Sequence, residues 1–132
     1  MGEALTIGVG RGQGYATVTV AGEIDIATVA GLRERLFELT ASGRPVVVEL
    51  DQVSFIDSTG LAALVGAARR AAAHGASLHV ICARPQTRQL FRLTGLDHQI
   101  PLARTLDEAL ESAAAPGTPA SGPREQPPAA GR

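Results

Sequence analysis

An apolar segment that passes into a helical pattern through the turn Asp57-Ser58-Thr59-Gly60 constrains the fold of this chain most strongly. Residues 46–50 are β-branched and almost wholly apolar, which is typical of a strand covered on both faces of a sheet. From residue 61 onward, apolar positions recur every three or four residues, which predicts a helix. The sequence therefore places Ser58 on the turn between a buried strand and a helix.

A hydroxyl at this position has two interpretations. The first turn of a helix has backbone N–H groups without intrahelical partners, so Asp57 or Ser58 can cap it, a contribution of about 1 kcal/mol. Alternatively, Ser58 is exposed and modifiable, because the positive end of the helix dipole also accommodates a phosphate. The turn alone favours the cap. The interpretation of Ser58 as an exposed, modifiable residue needs support from a second motif.

A second polar turn precedes the first predicted helix. It follows a strand predicted over residues 15–21, and either Asp25 or Thr28 can cap the helix after it. The apolar face of that helix consists of Val29, Leu32, Leu36, Phe37 and Leu39. Both polar turns lie between a strand and a helix, so we expect them at neighbouring ends of adjacent strands, where they would share one surface.

The remaining segments complete an alternation of strands and helices. Strands are predicted over residues 5–9, 77–82 and 99–102, and a glycine-rich turn is predicted over residues 10–14. This alternation favours an α/β fold with helices packed on a sheet.

Two further helices are predicted from their end signals. Pro85 suits the first turn of a helix that ends at Gly95, and Thr105 with Glu108 has the spacing of a capping box. Pro116 is expected to end the last helix. Residues 115–132 are dominated by Pro, Ala, Gly and Ser and are predicted to be a disordered tail.

The composition indicates one domain without nucleic-acid or membrane partners. The 132 residues are 45% hydrophobic and 19% charged, which suffices for a single core. A formal net charge of -1 and 3% aromatic residues give no basis for direct nucleic-acid binding. No window approaches the roughly 20 apolar residues that span a bilayer, and no signal segment is evident. We expect a cytoplasmic protein.

Residue usage also disfavours several chemistries. All basic side chains are Arg, so the chain has no phosphate-loop or Schiff-base lysine. Cys82 is the only cysteine and falls in a predicted strand, which favours a buried, inert thiol. The histidines lack paired metal-ligand spacing, so neither a metal nor another cofactor is expected.

A serine enzyme is the remaining chemical alternative, with Ser58 as nucleophile, Asp57 as orienting carboxylate and His74, His79 or His98 as base. The chain has no G-x-S-x-G motif. His79 lies mid-strand, where a hydrogen-bonded core histidine is usual, and His74 is placed to interact with the end of its helix. We therefore expect a protein that is not an enzyme.

Two motifs together resemble the STAS domain family. The segment Gly22-Glu23-Ile24-Asp25-Ile26-Ala27-Thr28 resembles the pattern G-E-[LIV]-D-x-x-[TS] at the end of the family's second strand. The segment V-S-F-I-D-S-T-G-L, residues 53–61, resembles the family's phosphorylation loop. Their order and separation also fit, and the resemblance covers roughly residues 5–114. It is strongest to the bacterial anti-sigma factor antagonists.

The resemblance implies a STAS-like domain over residues 1–114, with a mixed sheet of about four to five strands and about four helices mainly on one side. It also implies a partner-switching phosphoprotein in transcription regulation. Such a protein binds an anti-sigma factor that is a serine kinase, and this binding releases the sigma factor. The kinase phosphorylates the protein, and a serine phosphatase removes the phosphate.

The same resemblance assigns the site. Ser58 is the implied phosphorylated residue, with Thr59 as second choice. The implied partner-binding residues are Asp25, Thr28, Asp57, Ser58, Thr59, Gly60 and Ala62. The alternative is a STAS-type structural or ligand-binding module of a larger signalling complex, in which the Asp57 turn only caps its helix.

Overall fold

The structure, a computed structural model, describes residues 5–114 and contains one five-stranded mixed sheet. The strands are β1 (Thr6–Gly12), β2 (Tyr15–Ile24), β3 (Val46–Ile56), β4 (Leu78–Ile81) and β5 (Leu102–Ala103). The helices are α1 (Val29–Thr40), α2 (Ser58–Ala73), α3 (Pro85–Leu93) and α4 (Leu106–Ala114). The strands follow chain order, with β1 antiparallel to β2 and all other pairs parallel. The predicted α/β fold with a mixed sheet is confirmed.

The helices lie mainly on one face of the sheet, as predicted. Alternate strand residues such as Val18 and Val48 join side chains of the first three helices in the main core, including Leu32, Leu64 and Phe91. A smaller cluster on the opposite face joins α4 to the sheet through Val47, Ile81, Ala103 and Ala109. None of the helices that the structure describes is long and apolar enough to cross a bilayer.

The central strand β3 is longer than the sequence pattern predicts. Its register against β2 shifts between Thr19 and Ala21 and again between Gly22 and Glu23, and each shift inserts one extra residue in β3. Such bulges interrupt the alternation of inward and outward residues, so one strand reads as two short apolar runs. Their structural effect is to carry β3 to Ile56, directly before the Asp57 turn.

The predicted glycine-rich turn over residues 10–14 is wrong for its first half. β1 continues to Gly12, which pairs with Tyr15. A Cβ at Gly12 would lie 2.1 Å from Cζ of the Tyr15 ring, so glycine lets this ring lie against the backbone of β1. Gly14, with φ of 78°, supplies the left-handed turn residue.

The C-terminal elements also differ in detail from the prediction. The short strand is β5, Leu102–Ala103, and the chain before it forms a 3₁₀ turn over Leu96–His98 that buries Ile100. The Thr105 hydroxyl accepts a hydrogen bond from the Glu108 N–H, as expected of a cap. The predicted helix end at Pro116 and the predicted disordered tail, residues 115–132, lie outside the described residues.

One residue assigned to the buried face of α1 is on the surface. The Phe37 side chain is 38% exposed, and the Arg70 guanidinium lies 5.3 Å from its ring centroid. The Arg70 side chain also donates to the Phe37 carbonyl oxygen at 2.9 Å. Phe37 therefore joins α1 to α2 at their solvent edge, where a cation–π contact replaces part of the expected burial.

Candidate functional site

Asp57 caps helix α2. Its Oδ1 accepts hydrogen bonds from the backbone N–H groups of Thr59 at 2.9 Å and Gly60 at 3.2 Å. The Thr59 hydroxyl donates to the same oxygen at 2.5 Å. The sequence allowed either Asp57 or Ser58 as the cap. The Asp57 carboxylate caps the helix, and the Ser58 hydroxyl does not.

The Asp57 carboxyl is ionised at neutral pH. The Thr59 hydroxyl contributes most to lowering its pKa below the ordinary value of 3.8. Desolvation opposes this shift, and the backbone N–H groups of Gly60, Thr59 and Ile26 add to it. A fixed negative charge therefore stands directly before Ser58.

Ser58 is the first residue of α2, and its side chain is exposed. Its hydroxyl makes no hydrogen bond within residues 5–114, whereas the Thr59 hydroxyl is bonded to Asp57. The exposed Ala62 lies one turn further along the helix. This arrangement leaves one free hydroxyl at a helix N-terminus, the position at which a phosphate is electrostatically tolerated.

Gly60 sets how closely α2 approaches the sheet. It is buried, and a Cβ at this position would lie 2.6 Å from Cγ2 of Ile24 and 2.7 Å from Cγ1 of Ile56. Both isoleucines end strands that belong to the main core. Gly60 therefore positions the helix N-terminus by packing and offers no exposed surface of its own.

The second predicted turn is braced by its own polar side chains. Asp25 Oδ1 accepts from the backbone N–H groups of Ala27 at 3.0 Å and Thr28 at 3.1 Å. The Thr28 hydroxyl donates to the Glu23 carbonyl oxygen at 2.9 Å and accepts from the Asp25 N–H at 3.0 Å. Thr28 occupies the N-cap position of α1 without a side-chain cap bond, so these two residues shape the turn itself.

The two turns are in contact. The Asp57 N–H donates to the Ile24 carbonyl oxygen at 3.1 Å, and the Ile26 N–H lowers the pKa of the Asp57 carboxyl. The structure thus brings the predicted residues to one end of the β2–β3 pair. Among them Ser58 and Ala62 are exposed, Gly60 is buried, and Asp25, Thr28, Asp57 and Thr59 are half-buried.

Two exposed apolar residues of this region were not assigned to the site from sequence. The Ile26 side chain is 78% exposed and the Phe55 side chain 51% exposed. Phe55 directly follows the second bulge of β3, and the residue pattern gives no sign of this bulge. For Ile26, the available signal was an apolar residue between the polar turn residues Asp25 and Thr28.

The histidines do not join Ser58. His74 Nδ1 is 2.9 Å from the Arg70 carbonyl oxygen at the end of α2, as predicted. His98 Nε2 lies 3.9 Å from Asp97 Oδ1. His79 Nε2 is 2.7 Å from the Ser77 hydroxyl oxygen, so no serine–histidine pair forms at the Asp57 turn.

The residue types that could hold a metal are scattered. Cys82 is buried, as predicted. In the described part of the chain, no three residues among His, Cys, Asp and Glu are grouped so that they could hold a metal ion.

The fold and the site define a small α/β domain that presents a free serine hydroxyl on a carboxylate-capped helix at one end of a mixed sheet. Comparison with known proteins agrees with this class. The STAS domain profile matches residues 10–109, and the chain belongs to the STAS domain family.

Curated relatives of the chain include anti-sigma factor antagonists from several bacteria. The anti-sigma-B factor antagonist of Bacillus subtilis (strain 168) is 34% identical over 92 residues, which cover 70% of this chain and 84% of the relative. The anti-sigma-F factor antagonist RsfB of Mycobacterium tuberculosis (strain ATCC 25618 / H37Rv) is 31% identical over 109 residues, 82% of this chain and 88% of the relative.

A solved structure is similar in both fold and sequence. The crystal structure of an anti-sigma factor antagonist from Mycobacterium paratuberculosis superposes with a TM-score of 0.77 at 32% identity. The superposition covers 85% of this chain and 96% of the other, so nearly the whole of that protein has a counterpart here.

Proposed function

We propose that this protein is an anti-sigma factor antagonist whose binding to an anti-sigma factor serine kinase is switched by phosphorylation of Ser58. In the unphosphorylated state it occupies the kinase, and the sigma factor is released to permit transcription. Relatives that align over most of their length and carry this description support the antagonist function. The geometry of the Asp57 turn supports the phosphorylation switch.

The observation that carries the switch is the division of labour among three adjacent residues. Asp57 is engaged as the cap and Thr59 is bonded to Asp57, while the Ser58 hydroxyl is exposed and unbonded within the described residues. A kinase can approach the Ser58 oxygen without breaking a hydrogen bond of the fold. The same modification at Thr59 would remove one of the three donors that hold the Asp57 carboxylate.

A phosphate on Ser58 changes docking more than folding. It adds a charge of about -1.5 to -2 beside the ionised Asp57, while the N-terminus of α2 still tolerates an anion. If burying this charge against the kinase costs roughly 3 to 4 kcal/mol, the affinity falls about a hundred- to a thousandfold. That ratio is large enough for a switch.

In this scheme the protein itself performs no chemistry. The kinase transfers the phosphate and a serine phosphatase removes it, both in the cytoplasm. The docking surface consists of Ser58 and Ala62 at its centre, with Asp25, Thr28, Asp57 and Thr59 beside them and Gly60 beneath. A stable large assembly in gel filtration, without a kinase partner, would instead support the structural-module alternative.

The acceptor is tested by isolating the kinase that co-purifies with the unmodified chain and incubating the pair with ATP. We expect one phosphate on the wild type, located at Ser58 by mass spectrometry. Ser58→Ala is expected to bind the kinase and to take up no phosphate, and Thr59→Val is expected to be phosphorylated as the wild type is. Absence of a co-purifying kinase, or phosphate uptake by Ser58→Ala, would refute the proposal.

A further inference from the structure

Two large apolar side chains are exposed on the segments that carry the Ser58 site. Ile26 lies in the turn before α1, and Phe55 lies near the end of β3, three residues before Ser58. Single exposed apolar residues are common on soluble proteins, so exposure by itself assigns no role. The significance of this pair comes from where its backbone is held.

The Ile26 side chain is presented by a hydrogen-bonded turn. Its N–H lies near enough to Asp57 to lower the pKa of that carboxyl, and the turn is braced by the bonds of Asp25 and Thr28. The side chain nevertheless remains 78% exposed. A side chain held on an ordered backbone loses little further conformational freedom when a partner covers it.

Phe55 is presented by the irregular end of β3. It pairs with Glu23 immediately after the second register shift, while its neighbours Val53 and Ile56 are buried in the main core. A shift of one residue exchanges the faces of a strand, and here it leaves an aromatic ring 51% exposed.

We propose that Ile26 and Phe55 are the apolar anchors of the docking surface, and that each inserts into an apolar pocket on the anti-sigma kinase. This inference rests on the proposed function, because the occupant is the same kinase that approaches Ser58. Both residues are continuous with that site, Ile26 through Asp57 and Phe55 along the chain. Binding energy at interfaces is concentrated in a few such apolar and aromatic residues surrounded by polar ones.

The other exposed large apolar residues are not placed in this way. Val9 lies on the edge strand β1, Phe37 is covered in part by Arg70, and Leu93 lies on α3. Leu93 is 76% exposed, nearly the same as Ile26, and has no part in the two turns. It therefore serves as a matched control for loss of an exposed aliphatic side chain.

The test measures the affinity of the purified, co-isolated kinase for unphosphorylated wild type, Ile26→Ala, Phe55→Ala and Leu93→Ala by calorimetry. Ile26→Ala retains the backbone N–H that faces Asp57, so it removes only the proposed anchor. We expect each anchor variant to bind at least tenfold more weakly and Leu93→Ala to bind within twofold of wild type. Thermal unfolding at unchanged midpoints shows that the variants are folded.

The outcomes separate this inference from the proposed function. If wild type binds and either anchor variant binds within twofold of it, the two-anchor inference is overturned and the Ser58 switch stands. If an anchor variant and Leu93→Ala lose affinity equally, the effect is not specific and the inference is again overturned. If wild type itself does not bind the kinase, the proposed function and the inference fail together.

Discussion

At the scale of single residues, Asp57, Ser58 and Thr59 perform three different tasks within one helical turn. The carboxylate satisfies the N–H groups of α2, and the Thr59 hydroxyl satisfies the carboxylate. Ser58 is the residue that neither task requires. The sequence left the capping group open between Asp57 and Ser58, because both side chains can accept from the same N–H groups and only geometry decides between them.

The hydrogen bonding of the His79 ring differs from what the sequence predicts, and its burial leads to a testable prediction. It was expected to be a fully hydrogen-bonded core histidine. The ring is buried, Nε2 bonds with Ser77, and Nδ1 has no partner among the described residues. Burial lowers the pKa of His79 to about 4, compared with its ordinary 6.5. The imidazole is therefore neutral in the folded protein at physiological pH.

The stability of the protein should depend on pH through His79. Between pH 6.5 and about 4 the unfolded chain binds a proton at this site and the folded chain does not, so the free energy of unfolding falls as the pH falls. We expect a loss of about 2 kcal/mol at pH 5 relative to pH 7.5. Urea unfolding at both pH values measures it.

Two variants identify the group responsible for this loss. His79→Gln should abolish most of the loss between pH 7.5 and pH 5. His98→Gln, whose parent side chain is 87% exposed, should leave it unchanged. An unaltered pH dependence in His79→Gln would show that burial of this ring does not control acid stability.

At the scale of elements, the position of α2 against β2 and β3 determines where the site lies. The helix start was predictable from the change of period after residue 60, because a buried strand and an amphipathic helix have distinct patterns. The bulges in β3 and the extension of β1 to Gly12 were not predictable. Both depend on contacts between strands, such as Gly12 with Tyr15, that leave no periodic signal within one strand.

Gly60 provides the prediction at this scale. Gly60→Ala adds a methyl group against the buried side chains of Ile24 and Ile56, so we expect a destabilisation of about 1–3 kcal/mol in urea unfolding. The matched control is Gly66→Ala in the same helix, where the nearest atoms are Phe37 ring carbons at 4.0 Å. That variant should be more stable by about 0.5–1 kcal/mol, because alanine is the better helix former. Equal stability of the two variants would contradict close packing at Gly60.

At the scale of the whole molecule, the α/β fold and family were predicted correctly because local patterns and two separated motifs agreed. What the motifs could not supply was the shape of the surface. The contact between the two turns, the burial of Gly60 and the exposure of Ile26 all require the three-dimensional arrangement. In the proposed function, the shape of this surface determines which partner can dock.

The domain boundary leads to a prediction for the whole chain. Residues 115–132 are dominated by Pro, Ala, Gly and Ser, so we propose that residues 1–114 form the folded unit and that residues 115–132 are dispensable. A chain ending at Ala114 should unfold with a free energy within about 0.5 kcal/mol of the full chain and bind the kinase with equal affinity. A loss above about 1 kcal/mol would mean that the tail stabilises the fold.

We propose above that a phosphate on Ser58 releases the protein from its kinase. Calorimetric titration of the kinase with the unphosphorylated protein and with protein carrying one phosphate at Ser58, verified by mass spectrometry, measures this directly. We expect the phosphorylated form to bind about a hundred- to a thousandfold more weakly. Equal dissociation constants for the two forms would contradict it.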